Sequence, residues 1–127
     1  MERCIFCEIV KGTSPCYKVF EDDRFMAFLD IFPRVKGQTL VIPKKHYRWV
    51  YEVDDFKRYW EAVLKVTKKI QKNMKPDFIS YVTYGMDVSH AHVHIMPRHY
   101  GERQILPGEL ALKKEELLRI QHLVNGV

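Results

Sequence analysis

The sequence predicts an α+β fold: a five-stranded, largely antiparallel sheet with a long helix and short terminal helices. Three observations carry that prediction. Five short stretches are apolar, β-branched or alternating in character, and turn residues bound each of them. One long amphipathic stretch, residues 54–73, separates the first three from the last two. Short polar turns join the first strand to the second and the fourth to the fifth, and connections that short close antiparallel pairs.

Taken in order, Ile5, Phe6, Ile9 and Val10 place an apolar face at helical spacing and predict a short opening helix. Lys11-Gly12-Thr13-Ser14-Pro15 is a turn, followed by Cys16, a small residue of core or surface. Tyr17 to Phe20 reads as the first strand and Phe25 to Leu29 as the second, a hairpin closed by Glu21-Asp22-Asp23-Arg24. Residues 30–37 form a loop. Its first residue, Asp30, is either a turn residue or an acceptor for hydroxyl groups. Gln38 to Pro43 is the third strand, ended by Pro43.

In the long helix, Phe56, Tyr59, Trp60, Val63, Leu64, Thr67 and Ile70 fall at steps of three and four, so the aromatic stripe is core and not a base-stacking surface. Asp54 or Asp55 caps its start, and Lys75-Pro76-Asp77 breaks it. Phe78 to Tyr84 is the fourth strand, and Gly85-Met86-Asp87-Val88-Ser89 turns into the fifth. Residues 99–108 are loop-like. A helical tail follows at about 109–124, built on Leu112, Leu117, Leu118 and Ile120. With no linker, repeat or low-complexity segment, residues 1–127 read as a single domain.

Composition narrows the function. Hydrophobic residues make up 46% of the 127, which excludes a disordered chain, and no apolar run approaches the ~20 residues that span a bilayer. The formal net charge of +5 favours an anionic partner, a nucleotide or a nucleic acid, although no nucleic-acid motif accompanies it. Lys65, Lys68, Lys69, Lys72 and Lys75 lie on the long helix as a solvated face. Three cysteines cannot all pair within the chain, and Met1-Glu2-Arg3-Cys4 opens no long apolar segment, so a cytoplasmic protein is expected.

The chemistry concentrates in His90-Ala91-His92-Val93-His94-Ile95-Met96-Pro97-Arg98. Read as a strand, this stretch puts three imidazoles on one face and Ala91, Val93 and Ile95 on the other, with Pro97 as the stop. A neutral imidazole is a nucleophile, a general base or a metal ligand. Near the start, Cys4-Ile5-Phe6-Cys7 is a Cys-x-x-Cys pair, able to hold half of a zinc site or to form a redox pair. The redox use wants a preceding strand, and only three residues precede it.

Together these motifs resemble the histidine triad (HIT) family of nucleotide-binding hydrolases and transferases. His90 to Met96 matches its His-x-His-x-His-x-x signature, x being apolar. Cys4-Ile5-Phe6-Cys7, Phe28-Leu29-Asp30-Ile31-x-Pro33, Leu40-Val41-Ile42-Pro43-Lys44-Lys45-His46 and Pro97-Arg98 match in order, so the resemblance covers about residues 4–98. It implies a HIT-like fold, a homodimer paired through the long helix and a neighbouring strand, and a purine nucleotide substrate. It also implies a covalent nucleotidyl-histidine on His92, formed at the α-phosphate of a nucleoside phosphoramidate or dinucleoside polyphosphate. His94 would donate to the phosphoryl oxygens beside His90, Asp30 would accept from ribose hydroxyls, and Ile5, Phe6, Ile9, Phe28 and Ile31 would form the slot for the base. Some members bind structural zinc (Zn2+), and the matching positions here are Cys4, Cys7, His46 and His90.

Three positions depart from the family pattern. Gln38 stands at a usual histidine, Met86 near a usual glutamine, and Asp87 near a usual serine or threonine. An anionic Asp87 beside a phosphate would repel it. The departures support an alternative expectation, a nucleotide-binding zinc protein with little or no turnover.

Overall fold

Asp22 starts the sheet. Its Oδ1 accepts from the backbone N–H groups of Arg24 and Phe25, at 2.8 and 2.7 Å, and turns the chain back on itself. The hairpin so formed pairs β1 (Lys18–Glu21) with β2 (Phe25–Leu29). The computed structural model describes residues 3–127 and adds α1 (Ile5–Lys11), β3 (Thr39–Pro43), a single 3-10 turn, α2 (Phe56–Met74), β4 (Phe78–Val82), β5 (Val93–Arg98) and α3 (Lys114–Asn125). All neighbouring strands are antiparallel, in the order β1-β2-β3-β5-β4. The expected α+β fold with five antiparallel strands is the fold observed.

Alternation along the strands splits the apolar residues between two faces. Phe25, Ala27, Leu29, Val41, Val93 and Ile95 meet α2 and α3 in the main core. Met26, Phe28, Leu40 and Ile42 face the other way and pack with Phe6 and Ile9 of α1. Helix α2 buries Tyr59, Ala62, Val63, Val66, Thr67 and Ile70, capped by the Asp55 carboxylate on the Arg58 N–H. Tyr59 stacks on Phe25 and donates its hydroxyl to the Val41 carbonyl at 2.6 Å, which ties the helix to the middle of the sheet.

Several boundaries differ from the sequence reading. The first strand is displaced by one residue, to Lys18–Glu21, and Gln38 precedes β3. The fourth strand stops at Val82, where Thr83 turns its hydroxyl to the His92 carbonyl. The tail helix starts at Lys114 and not at about residue 109, and the Leu110 N–H before it reaches the Pro33 carbonyl. The largest correction concerns the histidines. The fifth strand begins at Val93, so His90 and His92 lie before the sheet and only His94 lies in it. The Ala91 N–H donates to the Tyr47 carbonyl at 2.7 Å instead of to a strand partner. The alternation survives in the extended backbone, because Ala91, Val93 and Ile95 all enter the main core. Pro97 does not end the strand either. It pairs with Ile79 of β4, while β3 accompanies β5 only as far as Ile95, so its missing N–H costs no bond to β3.

The two sheet edges are finished differently. At β1, Gln121 and Asn125 of α3 donate to the Lys18 carbonyl, and Lys69 donates to the Val19 carbonyl. Among the described residues no side chain caps β4 in this way.

Candidate active site

Each triad histidine has its proton placed by a neighbour that can only accept or only donate. The His90 Nε2 lies 2.8 Å from the Pro43 carbonyl. A carbonyl only accepts, so Nε2 carries the proton and Nδ1 keeps its lone pair. That lone pair faces Cys4 Sγ at 3.3 Å and Cys7 Sγ at 3.5 Å. The His92 Nδ1 lies 2.7 Å from the His90 carbonyl, so Nδ1 carries a proton, and in the neutral ring the lone pair is on Nε2. The His94 Nδ1 receives from the Gln38 amide nitrogen at 3.0 Å.

His90 is fully buried and His92 is 5% exposed. Burial, helped by the neighbouring imidazoles, pushes His90 and His94 down to about 4, so both are neutral near pH 7. Phe6 stands edge-on to both His90 and His92, with ring centres 5.8 and 5.4 Å away, and it also meets Phe28. His92 and His94 are themselves edge to face at 5.0 Å.

Asp30 fills the first of the two roles that the sequence left open for it, that of a turn residue. Its Oδ1 accepts from the Phe32 N–H at 2.9 Å, a turn bond, while Oδ2 lies 3.2 Å from the Gln38 amide and 3.6 Å from His94 Nδ1. Burial raises its proton affinity above that of an ordinary aspartate. The five apolar candidates divide. Phe6, Ile9 and Phe28 are part of the buried cluster beside the histidines, whereas Ile5 and Ile31 are 43% and 50% exposed and free to meet a ligand.

Cys4, Cys7, His46 and His90 offer four ligand atoms within 4.8 Å of one another. A tetrahedral zinc ion with the usual bond lengths has sulfur–nitrogen edges of roughly 3.5 Å. The Cys4–His90, Cys7–His90 and Cys7–His46 separations are 3.3, 3.5 and 3.3 Å. The donor set therefore fits zinc in chemistry and in spacing. Burial and the adjacent Cys4 thiol push the metal-free Cys7 thiol up to about 11, so a metal here competes with protons. Cys4 also caps α1, its sulfur accepting from the Cys7 N–H at 3.3 Å.

Sequence reasoning missed the acceptors that are backbone, the Pro43 and His90 carbonyls, since every residue carries one. It noticed Gln38 only as a departure. Gly37 brings that residue in at φ +83°, and an added Cβ would stand 2.6 Å from the Met74 side chain and 3.3 Å from Pro97. Gly37→Ala is expected to cost about 1–3 kcal/mol in urea unfolding, through left-handed backbone strain and this crowding.

Comparison with known proteins agrees with this geometry. The model of the HIT domain matches residues 11–101. The chain is 44% identical over 108 residues to Protein hit of Bacillus subtilis, covering 80% of this chain and 74% of that one. It is 39% identical to adenosine 5'-monophosphoramidase hnt1 of Schizosaccharomyces pombe, covering 75% and 74%. A HIT-like protein of Bartonella henselae superimposes with a TM-score of 0.88 at 30% identity, covering 98% and 95%. A zinc-bound histidine triad family protein of Mycobacterium smegmatis superimposes with a TM-score of 0.79 at 25% identity, covering 97% and 91%. In sequence and in fold, the chain belongs to the HIT family.

Proposed function

We propose that the chain is a nucleotide hydrolase or nucleotidyl transferase that works through His92. The observation that carries this reading is the bond from His92 Nδ1–H to the His90 carbonyl, which in the neutral ring puts the nucleophilic lone pair on Nε2. In the proposed reaction Nε2 attacks the α-phosphorus of a nucleoside phosphoramidate or dinucleoside polyphosphate. An N–P bond forms, the bond from phosphorus to the leaving group breaks, and the leaving group takes up a proton from water. Water or another acceptor then cleaves the N–P bond, releases the nucleotide and restores His92. The His94 Nε2–H donates to the phosphoryl oxygens as charge builds on them. The free lone pairs of Asp30 accept from the ribose, and Ile5 and Ile31 cover the purine against the Phe6–Phe28 wall. The phosphoramidase name of the S. pombe relative supports this substrate class.

Cys4, Cys7, His46 and His90 would hold a zinc ion as a closed structural site, supplying a cross-link between α1 and the triad rather than reaction chemistry. The zinc-bound M. smegmatis neighbour supports this. The cytoplasm, where thiols stay reduced, suits three unpaired cysteines. No helix among the described residues is long and apolar enough to cross a membrane.

The chain is further proposed to work as a homodimer joined along α2 and β4. Phe56, Trp60 and Leu64 form one stripe on α2, continued by Tyr81 of β4, whose ring lies 5.8 Å from Trp60. Phe56, Leu64 and Tyr81 are 45, 48 and 42% exposed. Among the described residues the buried Trp60 Nε1 and Ser80 Oγ have no partner, and no side chain caps the β4 edge. Light scattering on the wild type should give twice the 15.2 kDa chain mass, and Leu64→Lys should give the monomer.

A phosphoramidate incubated with the protein and quenched in alkali, which preserves an N–P bond, is expected to add one nucleotidyl mass to the chain. Tight nucleotide binding without adduct or product would favour the second reading, a binding protein of little turnover. Exposed Asp87 supports that reading, because its charge is felt at His94 where the phosphate would sit.

A further inference from the structure

We propose that Gln38 is a positioning residue that fixes the His94 tautomer against the pull of Asp30, and so keeps the His94 Nε2–H as a donor. Its importance for turnover rests on the role given to His94 above; its control of the tautomer does not.

Gln38 is 3% exposed, so its amide has no water to exchange partners with. Every site on that amide is spoken for. Oε1 accepts from the Arg34 backbone N–H at 2.7 Å. The two protons of Nε2 go to Asp30 Oδ2 at 3.2 Å and to His94 Nδ1 at 3.0 Å. The opposite orientation of the amide would set NH2 against the Arg34 N–H. It would also set the carbonyl oxygen between a carboxylate and an imidazole lone pair, and all three bonds would be lost together. The Arg34 N–H is a backbone donor and cannot change sign. It therefore fixes the amide, and the amide makes His94 Nδ1 an acceptor. A neutral imidazole has one N–H proton, which then sits on Nε2.

Without Gln38 the same neighbours would give the reverse result. Asp30 Oδ2 is 3.6 Å from His94 Nδ1, just beyond hydrogen-bond reach. With nothing between them, the carboxylate would draw the proton to Nδ1. Nε2 would be left with a lone pair facing phosphoryl oxygens that also carry lone pairs. Gln38 is thus an insulator: it satisfies the acid and the imidazole from one nitrogen and inverts the tautomer their direct contact would select. A histidine in its place could not donate to both from one nitrogen, since each of its nitrogens carries at most one proton.

The experiment is two-bond 1H–15N correlation NMR of the uniformly 15N-labelled protein near pH 7 without substrate, with His94 assigned by its loss in His94→Asn. Wild type should show the Nε2–H pattern for His94. Gln38→Met, which removes both donors, and Gln38→Glu, which turns the amide into an acceptor, should each show the Nδ1–H pattern. With a phosphoramidate, kcat should fall about 100-fold in both variants, the usual loss when an aligned donor is removed, while KM stays within about threefold. An Nδ1–H pattern in the wild type, or Nε2–H retained in a folded variant, overturns the proposal. A wild type that shows Nε2–H but cleaves no nucleotide overturns the proposed function and upholds the control of the tautomer. A switched tautomer with unchanged kcat overturns the link to turnover.

Discussion

Replacing His92 by asparagine is expected to lower kcat/KM for an adenosine phosphoramidate by at least about 1,000-fold and to abolish the nucleotidyl adduct. The size of the effect follows from the role proposed for the residue. A covalent intermediate divides one difficult displacement into two easier ones, and no other free lone pair of the triad is in a position to take over. His90 turns its lone pair to the cysteines, and His94 turns its own to Gln38. The asparagine amide can still donate to the His90 carbonyl as the imidazole does at 2.7 Å, so the local backbone keeps its tether. Stability should therefore change by no more than about 2 kcal/mol, and nucleotide affinity should persist. Calorimetric titration with a nucleotide separates the two effects. A variant that binds and still turns over at the wild-type rate would place the nucleophile elsewhere.

Removing the two ligands on the opening helix is the second large effect. The wild type is expected to purify with one zinc ion per chain, and the double variant Cys4→Ser, Cys7→Ser without it. The melting temperature of the double variant should fall by about 10 °C. Helix α1 has only seven residues and stays on the sheet through Phe6, Ile9 and this cluster. Such a helix has little stability of its own. A bridge from Cys4 to His90 closes a loop of more than eighty residues, which restrains the unfolded chain strongly. Elemental analysis counts the metal and scanning calorimetry reads the melting temperature. Wild-type protein free of zinc, with a melting temperature that a chelator does not move, would remove the site.

The parts of this fold legible in the sequence are those set by local periodicity. The apolar run Phe25 to Leu29, the three-and-four spacing from Tyr59 to Ile70 and the cap at Asp55 all have the predicted place and type. The histidine repeat shows where such reading ends. Period two sorted the side chains correctly onto two faces, but it could not show that His90 and His92 precede the ladder, because that depends on Tyr47 offering its carbonyl to Ala91. The cysteine–histidine set was visible as a family pattern, and its closeness in space is a tertiary fact. Gln38 was conspicuous only by its identity. Its meaning lies in Arg34, Asp30 and His94, which the loop before β3 and strand β5 bring together.

The proton on His92 is held by main chain, not by a side chain. Every amino acid carries the same carbonyl, so no codon change at residue 90 deletes this acceptor; a substitution there can only shift it. Scanning mutagenesis would thus record residue 90 by its imidazole alone and never register its peptide oxygen. Drift in sequence can rewrite the apolar residues beside the triad, the cysteines or Gln38 one at a time. The instruction that sets the His92 tautomer lies outside the genetic alphabet and is inherited with the path of the backbone.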